Sequence, residues 1–267
     1  MQKKKTILDL QRMKSEGERI AVLTCYDYPT AVIVDRCGID VILVGDSVGV
    51  VVAGYDNTLP VTMEEMIYHT KAVMRARPQA LVVADLPFLS YQTDLAAARL
   101  NAGLLLKDGG AAAVKLEGGV NIAPAIRAIT EIDIPVMAHI GLTPQSLHRM
   151  GGFRVQGKGE EQAEKLLADA LAVQEAGAFA VVLECIPAPL AARITAELSI
   201  PTIGIGAGVS CDGQVLVLHD ILGLCEKYSP KFVKRYAEVG PIISEAVSSY
   251  ISEVRQGAFP EEGHSFS

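Results

Sequence analysis

Short apolar runs in this chain repeatedly end on a residue that can do chemistry. Val41–Val44 leads through Gly45 into Asp46-Ser47, and Leu81–Ala84 leads into Asp85. Ala112–Leu116 carries Lys115 and leads into Glu117. Pro135–Ala138 leads into His139, and Phe179–Leu183 leads into Glu184. If these runs are neighbouring strands, the four carboxylates gather at one end and repel one another unless positive charge sits among them. Lys115 supplies one such charge, and a bound divalent cation would supply two more. The donors on offer are carboxylates, with no Cys or His pair at metal-ligand spacing. That points to a hard ion such as Mg²⁺; the sequence leaves Mn²⁺, Co²⁺ and Zn²⁺ open. Such an ion polarises a carbonyl and stabilises an enolate. With a spare carboxylate as base, the chemistry is proton removal next to a carbonyl, Lys115 meeting the negative end of the substrate.

Plainer readings compete with this one. An Asp after a strand often caps the next helix, and Asp85 fits that role. Asp46 fits it less well, because the next clear helical pattern begins near Thr62. Glu is a poor cap, so Glu117 and Glu184 resist the explanation. A lone His139 at a strand end reads first as a hydrogen-bonded structural residue. Gly204-Ile205-Gly206-Ala207-Gly208 suggests a dinucleotide loop, but the third glycine of that spacing would fall on Val209, so a tight turn fits better. The glycines of Gly151–Lys158 suit a mobile lid or an ordinary loop.

The elements that must position these residues are eight apolar runs. Besides the five above they are Ile20–Thr24, Thr202–Ile205 and Val215–Leu218. Their near-continuous apolar character suits parallel strands buried on both faces. Helical patterns lie between most of them: Tyr28–Cys37, Thr62–Arg77, Thr93–Lys107, Ala123–Glu131, Gly159–Ala176 and Ala188–Glu197, with Lys231–Val254 last. The gap between the seventh and eighth runs is too short for a helix. Thr6–Ser15 reads as an extra helix able to plug the lower end of a barrel. The alternation predicts a (β/α)₈ TIM barrel with an extra N-terminal helix, residues 1–267 forming a single catalytic domain. An open doubly wound sheet is the alternative. Barrel strands deliver their C-terminal ends to one rim, where this fold builds its active sites.

Composition narrows the function classes. Of 267 residues half are apolar, and 24 Lys and Arg face 31 Asp and Glu for a net charge of −7. That balance argues against nucleic acid or an anionic membrane as partner. No apolar run approaches the roughly 18–20 residues of a membrane helix, and the start lacks the apolar segment of a signal peptide. Five scattered cysteines read as buried reduced thiols of a cytoplasmic protein. Gly257–Ser267 reads as a loose end or a partner-binding arm.

Five ordered blocks resemble the ketopantoate hydroxymethyltransferase family. They are GDSVGVVVAGYDNTLPVTMEEMIYHTKAV from Gly45, VADLPFLSY from Val83, VKLEGG from Val114, AHIGLTPQSLHRMGGFRVQGK from Ala138 and IGIGAGVSCDGQVLVLHDILGL from Ile203. The resemblance covers nearly the whole chain. It implies a barrel of the pyruvate/phosphoenolpyruvate-utilising type. The implied reaction is hydroxymethyl transfer from 5,10-methylenetetrahydrofolate to 3-methyl-2-oxobutanoate, giving 2-dehydropantoate through a Mg²⁺-stabilised enolate, in pantothenate and coenzyme A biosynthesis. Asp46, Asp85 and Glu117 match the family's magnesium-site acids. Asp46, Ser47, Asp85 and Lys115 match its 2-oxoacid contacts, and Glu184 matches its proton acceptor. A cytoplasmic homodecamer is implied as well; folate contacts carry no comparably sharp motif. Two other readings share these residues: a lyase or mutase acting on a 2-oxoacid or phosphoenolpyruvate skeleton, and a non-catalytic barrel that serves as a binding subunit.

Overall fold

The computed structural model describes residues 4–225 and 230–266. They form two compact units, one running to Val217 and the other starting at Leu218. In the first, eight parallel strands close into a barrel in chain order. These are β1 (Ile20–Thr24), β2 (Val41–Val44), β3 (Leu81–Asp85), β4 (Ala113–Glu117), β5 (Val136–Gly141), β6 (Ala180–Glu184), β7 (Thr202–Ile205) and β8 (Gly213–Leu216). The helices are α1 (Ile7–Glu16), α2 (Tyr28–Arg36), α3 (Val48–Val51), α4 (Met63–Met74), α5 (Leu95–Lys107), α6 (Ala123–Thr130), α7 (Leu147–Met150), α8 (Glu160–Glu175) and α9 (Ala188–Glu197). A short 3₁₀ turn, Pro144–Ser146, precedes α7. The second unit holds α10 (Leu218–Ile221) and α11 (Val239–Gln256).

Local chemistry explains several boundaries. Thr62 and Glu65 form a reciprocal capping box that starts α4. Asp27 accepts from the Thr30 amide to start α2, and Asp94 accepts from the Ala97 amide to start α5. Asp85 therefore caps nothing: the helix after β3 has its own cap nine residues on. Three of the four acids sit inside strands, as the last residues of β3, β4 and β6, rather than beyond them. No helix separates β7 from β8, as the short gap predicts.

Several elements differ from the sequence reading: β5 runs on to Gly141 and so takes in His139, and the short helix α3 follows Ser47 directly, ahead of the helix expected near Thr62. The last helix begins at Val239, not Lys231, because Pro241 lies at its third position and proline is accommodated only in a first turn. β8 begins two residues early, at Gly213. Its first residues lack apolar character, yet Gly213 pairs with both Ile20 and Ile203. The expectation of buried thiols holds for Cys25 and Cys211, whereas Cys37 is exposed. Among the described residues no helix is long and apolar enough to cross a membrane.

The barrel interior follows strand parity. Val41 and Leu43, Leu81 and Val83, Ala180 and Val182 pack inward as alternate residues of their strands. Leu10 and Met13 of α1 join the same buried cluster beside Ile20, at the starting end of the strands. The N-terminal helix thus stoppers that end. Lys14 fastens it, its ammonium lying 2.8 Å from Asp212, whose other contacts hold Thr202. Leu10→Ala is expected to destabilise the protein by about 2–5 kcal/mol, because a fully buried leucine leaves a cavity. Urea unfolding checks this, and an unchanged midpoint would exclude α1 as the stopper.

Candidate active site

The inward column of each strand turns from apolar to charged at its C-terminal end. Below lie Val83, Ala113, Met137 and Val182; above them, with the same parity, stand Asp85, Lys115 and Glu117, His139, and Glu184. Register then sets neighbours side by side. Asp85 pairs with Lys115, Glu117 with His139, and Gly141 with Glu184. Asp85, Lys115, Glu117 and Glu184 therefore form one belt, into which His139 also falls, while Asp46 and Ser47 follow the end of β2 beside β3.

The belt is continuous in space. The Asp46 amide donates to Asp85 Oδ2 at 3.0 Å, and Asp85 Oδ1 lies 3.0 Å from Lys115 Nζ. Lys115 Nζ is 4.0 Å from Glu117 Oε1, which lies 3.4 Å from His139 Nδ1. His139 Nε2 lies 3.1 Å from Glu184 Oε2. Asp46, Asp85, Lys115, Glu117 and His139 are all buried. Glu184 is the most open of the acids, with 13% of its side chain exposed against 3% for Asp85 and Glu117.

Backbone detail shapes both edges of the belt. A Cβ on Gly45 would stand 2.7 Å from Ser47 Oγ, so a side chain there would push that hydroxyl from its place. Tyr26 Oη, 2.8 Å from Ser47 Oγ, fixes that hydroxyl. At the other edge Gly141 takes φ +93, with the Glu184 carbonyl against the space a side chain would need. Cys185, directly after Glu184, takes φ +48, a left-handed conformation unusual outside glycine. Its carbonyl accepts from Gln156 at 2.9 Å, which ties the Gly151–Lys158 loop to the strand end carrying Glu184. Gly206 and Gly208 form the tight turn expected after β7.

Sequence reasoning missed Tyr91 and Gln145 and gave His139 too little weight. Tyr91 Oη accepts from the Glu117 amide at 3.0 Å, and Gln145 Nε2 donates to Asp46 Oδ2 at 2.8 Å. Neutral side chains give no charge signal. Both lie inside the resembling blocks, which was the only available pointer.

Burial and crowding set the charges. Burial, with the negative charges of Asp85 and Glu117, pushes Asp46 up to about 8. Burial also raises Asp85, with Lys115 opposing. Burial works against ionisation of Glu117 too, yet the hydrogen bond and charge of His139, with Lys115, hold it below the usual range. Desolvation and Lys115 disfavour a charged His139, but its two carboxylate neighbours outweigh them and raise it to about 9. Lys115 stays charged because Asp85, Glu117 and Asp46 outweigh its desolvation.

The residues fit a hard cation. Asp85 Oδ1 and Glu117 Oε1 are buried and accept no aligned hydrogen bond, only ion-pair contacts. Among the described residues no three His, Cys, Asp or Glu side chains form a ready cage. Mg²⁺ does not require one, since it commonly binds one or two carboxylates and keeps waters or substrate oxygens for the rest.

The family model described as ketopantoate hydroxymethyltransferase matches residues 4–262. The 3-methyl-2-oxobutanoate hydroxymethyltransferase of Citrifermentans bemidjiense is 80% identical over 266 residues, with both chains fully covered. That of Geotalea daltonii is 77% identical over the same span, again with both chains fully covered. Among solved structures, phosphonopyruvate hydrolase in complex with oxalate and Mg²⁺ aligns with 97% of this chain and 93% of its own, at TM-score 0.61 and 14% identity. A 2,3-dimethylmalate lyase of the PEP mutase/isocitrate lyase superfamily covers 98% and 92%, at TM-score 0.63 and 17% identity. These two likenesses show the fold.

The charge states predict how stability depends on pH. His139 moves from an ordinary 6.5 to about 9, so its contribution is complete below 6.5 and lost as pH rises through 9. Asp46, raised from 3.8 to about 8, holds a proton that the unfolded chain has already released. It too loses stability as pH rises toward 8. The metal-free protein is therefore expected to melt at a lower temperature at pH 9 than at pH 6.5, with a shallower fall in Asp46→Asn. Scanning calorimetry across that window checks this, and a rising melting temperature would contradict the assigned charges.

Proposed function

The chain belongs to the ketopantoate hydroxymethyltransferase family, and on that premise we propose that it transfers a hydroxymethyl group from 5,10-methylenetetrahydrofolate to 3-methyl-2-oxobutanoate, giving 2-dehydropantoate for pantothenate and coenzyme A synthesis. The observation that carries this reading is the belt itself: a relatively open carboxylate, Glu184, beside a buried acid cluster that contains one ammonium. Mg²⁺ held by Asp46, Asp85 and Glu117 would supply a Lewis acid for the keto and carboxylate oxygens of the substrate.

The protein's own groups do the remaining work. Lys115 Nζ and Ser47 Oγ receive the substrate carboxylate. Their low-dielectric surroundings strengthen that attraction over its value in water. Glu184 takes the proton from C3, and the C–H electron pair remains as the enolate. His139 Nε2 holds the carboxylate that performs this step. C3 then bonds to the methylene carbon as one of its C–N bonds breaks, water displaces the second nitrogen and provides the hydroxyl oxygen, and tetrahydrofolate leaves with the proton from C3 on one nitrogen and a proton from the water on the other. Glu184 suits the role of base because it is the belt's least enclosed acid.

The rival lyase or mutase reading shares the metal acids but needs no folate. A coupled assay with 3-methyl-2-oxobutanoate and methylenetetrahydrofolate, with metal removed and restored, is expected to show metal-dependent turnover. Turnover only of isocitrate-type substrates would reverse the assignment. The reading extends to a cytoplasmic homodecamer. It is supported by Ile242, Ile243, Val247, Tyr250 and Ile251, which α11 leaves exposed. Sedimentation is expected to give an assembly of about ten chains on the family's pattern, and a monomer would contradict it.

Glu184→Gln is expected to bind substrate and metal yet lose deuterium exchange at substrate C3, followed by NMR. Normal exchange would remove Glu184 as the base. Asp85→Asn is expected to weaken Mg²⁺ binding by at least the roughly 10–100-fold that loss of a ligand's hydrogen-bond partner costs. Calorimetry showing unchanged affinity would remove Asp85 from the ligand set.

A further inference from the structure

Gln145 is a buried neutral residue that touches both acids flanking the cluster. It sits in the Pro144–Ser146 turn directly after β5, closed by the Ser146 amide donating to the Thr143 carbonyl at 2.8 Å. Its backbone amide donates to Glu117 Oε2 at 3.0 Å. Its side-chain Nε2 donates to Asp46 Oδ2 at 2.8 Å and to the Leu86 carbonyl at 3.0 Å. Its Oε1 accepts from Tyr91 Oη at 2.7 Å and from Gln92 Nε2 at 3.1 Å.

The amide has one acceptable orientation. Turned over, it would set Oε1 against the Leu86 carbonyl, an acceptor with nothing to donate, and would point its amino group at the Gln92 donor. Tyr91 enforces the choice. Its hydroxyl accepts from the Glu117 amide, so its single proton is free for Gln145 Oε1 or for the nearby Glu117 carbonyl. Both side chains are buried, so water does not substitute readily for these contacts.

We propose that Gln145, oriented by Tyr91, is a positioning residue that selects which oxygen of Asp46 faces the cation. With Oδ2 engaged by the amide, Oδ1 is left to bind the ion. The same residue holds Glu117 by its backbone amide, so of the two acids its side chain touches Asp46 and its main chain touches Glu117. No change of side chain other than to proline removes the second contact, which makes the first separable by mutation. The inference rests on the reading of Asp46 as a metal ligand.

The test is Mn²⁺ binding followed by electron paramagnetic resonance on the full-length, metal-free protein, with Mn²⁺ alone as probe. Wild type is expected to take up one ion per chain. Gln145→Met, similar in size but without a donor, is expected to bind about 10–100-fold more weakly. Tyr91→Phe is expected to shift in the same direction, since the Gln145 amide loses its orienting partner and the Glu117 amide loses its acceptor. In steady-state assays the metal concentration for half-maximal rate should rise by more than the maximal rate falls, a split that a purely structural defect would not give. Circular dichroism confirms that each variant is folded. Should Gln145→Met not fold, Tyr91→Phe decides the matter. Wild-type affinity in a folded Gln145→Met, or in Tyr91→Phe where that variant decides, overturns the inference while leaving the metal site intact. A wild-type protein that takes up no Mn²⁺ overturns the metal reading itself, and the inference with it.

Discussion

The architecture depends on one constraint: carboxylates buried at the top of an apolar column must be neutralised where they stand. Each ionised group pays a desolvation penalty of several kcal/mol when removed from water. The barrel meets this by register, which sets Lys115 beside Asp85 and His139 beside Glu117. The balance is incomplete. Asp46 is crowded by two negative neighbours and holds a proton near neutrality in the absence of a cation. A site that is short of positive charge and lined by oxygen donors favours a hard divalent ion on electrostatic grounds.

Much of this was legible in the residues. The ends of β1, β2 and β7 coincide with the apolar runs, because buried parallel strands leave a continuous apolar signature. The charged residues fell at the correct ends for the same reason: a charge after four apolar residues marks where a strand meets solvent or a site. Parity was hidden by that continuity. When both faces are buried, Val114 and Leu116 look no different from inward residues, although they alternate with Lys115 and Glu117.

Other features could not be read along the chain. Gln145 meets residues 99 and 28 positions away, and only barrel closure brings them together. An isolated histidine gives no hint of two carboxylates contributed by neighbouring strands, so His139 looked ordinary. The start of α11 is set by Pro241, a local signal that the helical pattern on either side of it masks. β8 escaped because a glycine and a glutamine open it, and its place is set by its neighbours on either side.

The stopper formed by Leu10 and Met13 is continuous with the side chains that fill the barrel, so the base of the barrel is solid. A barrel closed at its base has no rear exit. Whatever reaches Asp85 and Lys115 must pass the mouth where Glu184 stands, and must return the same way.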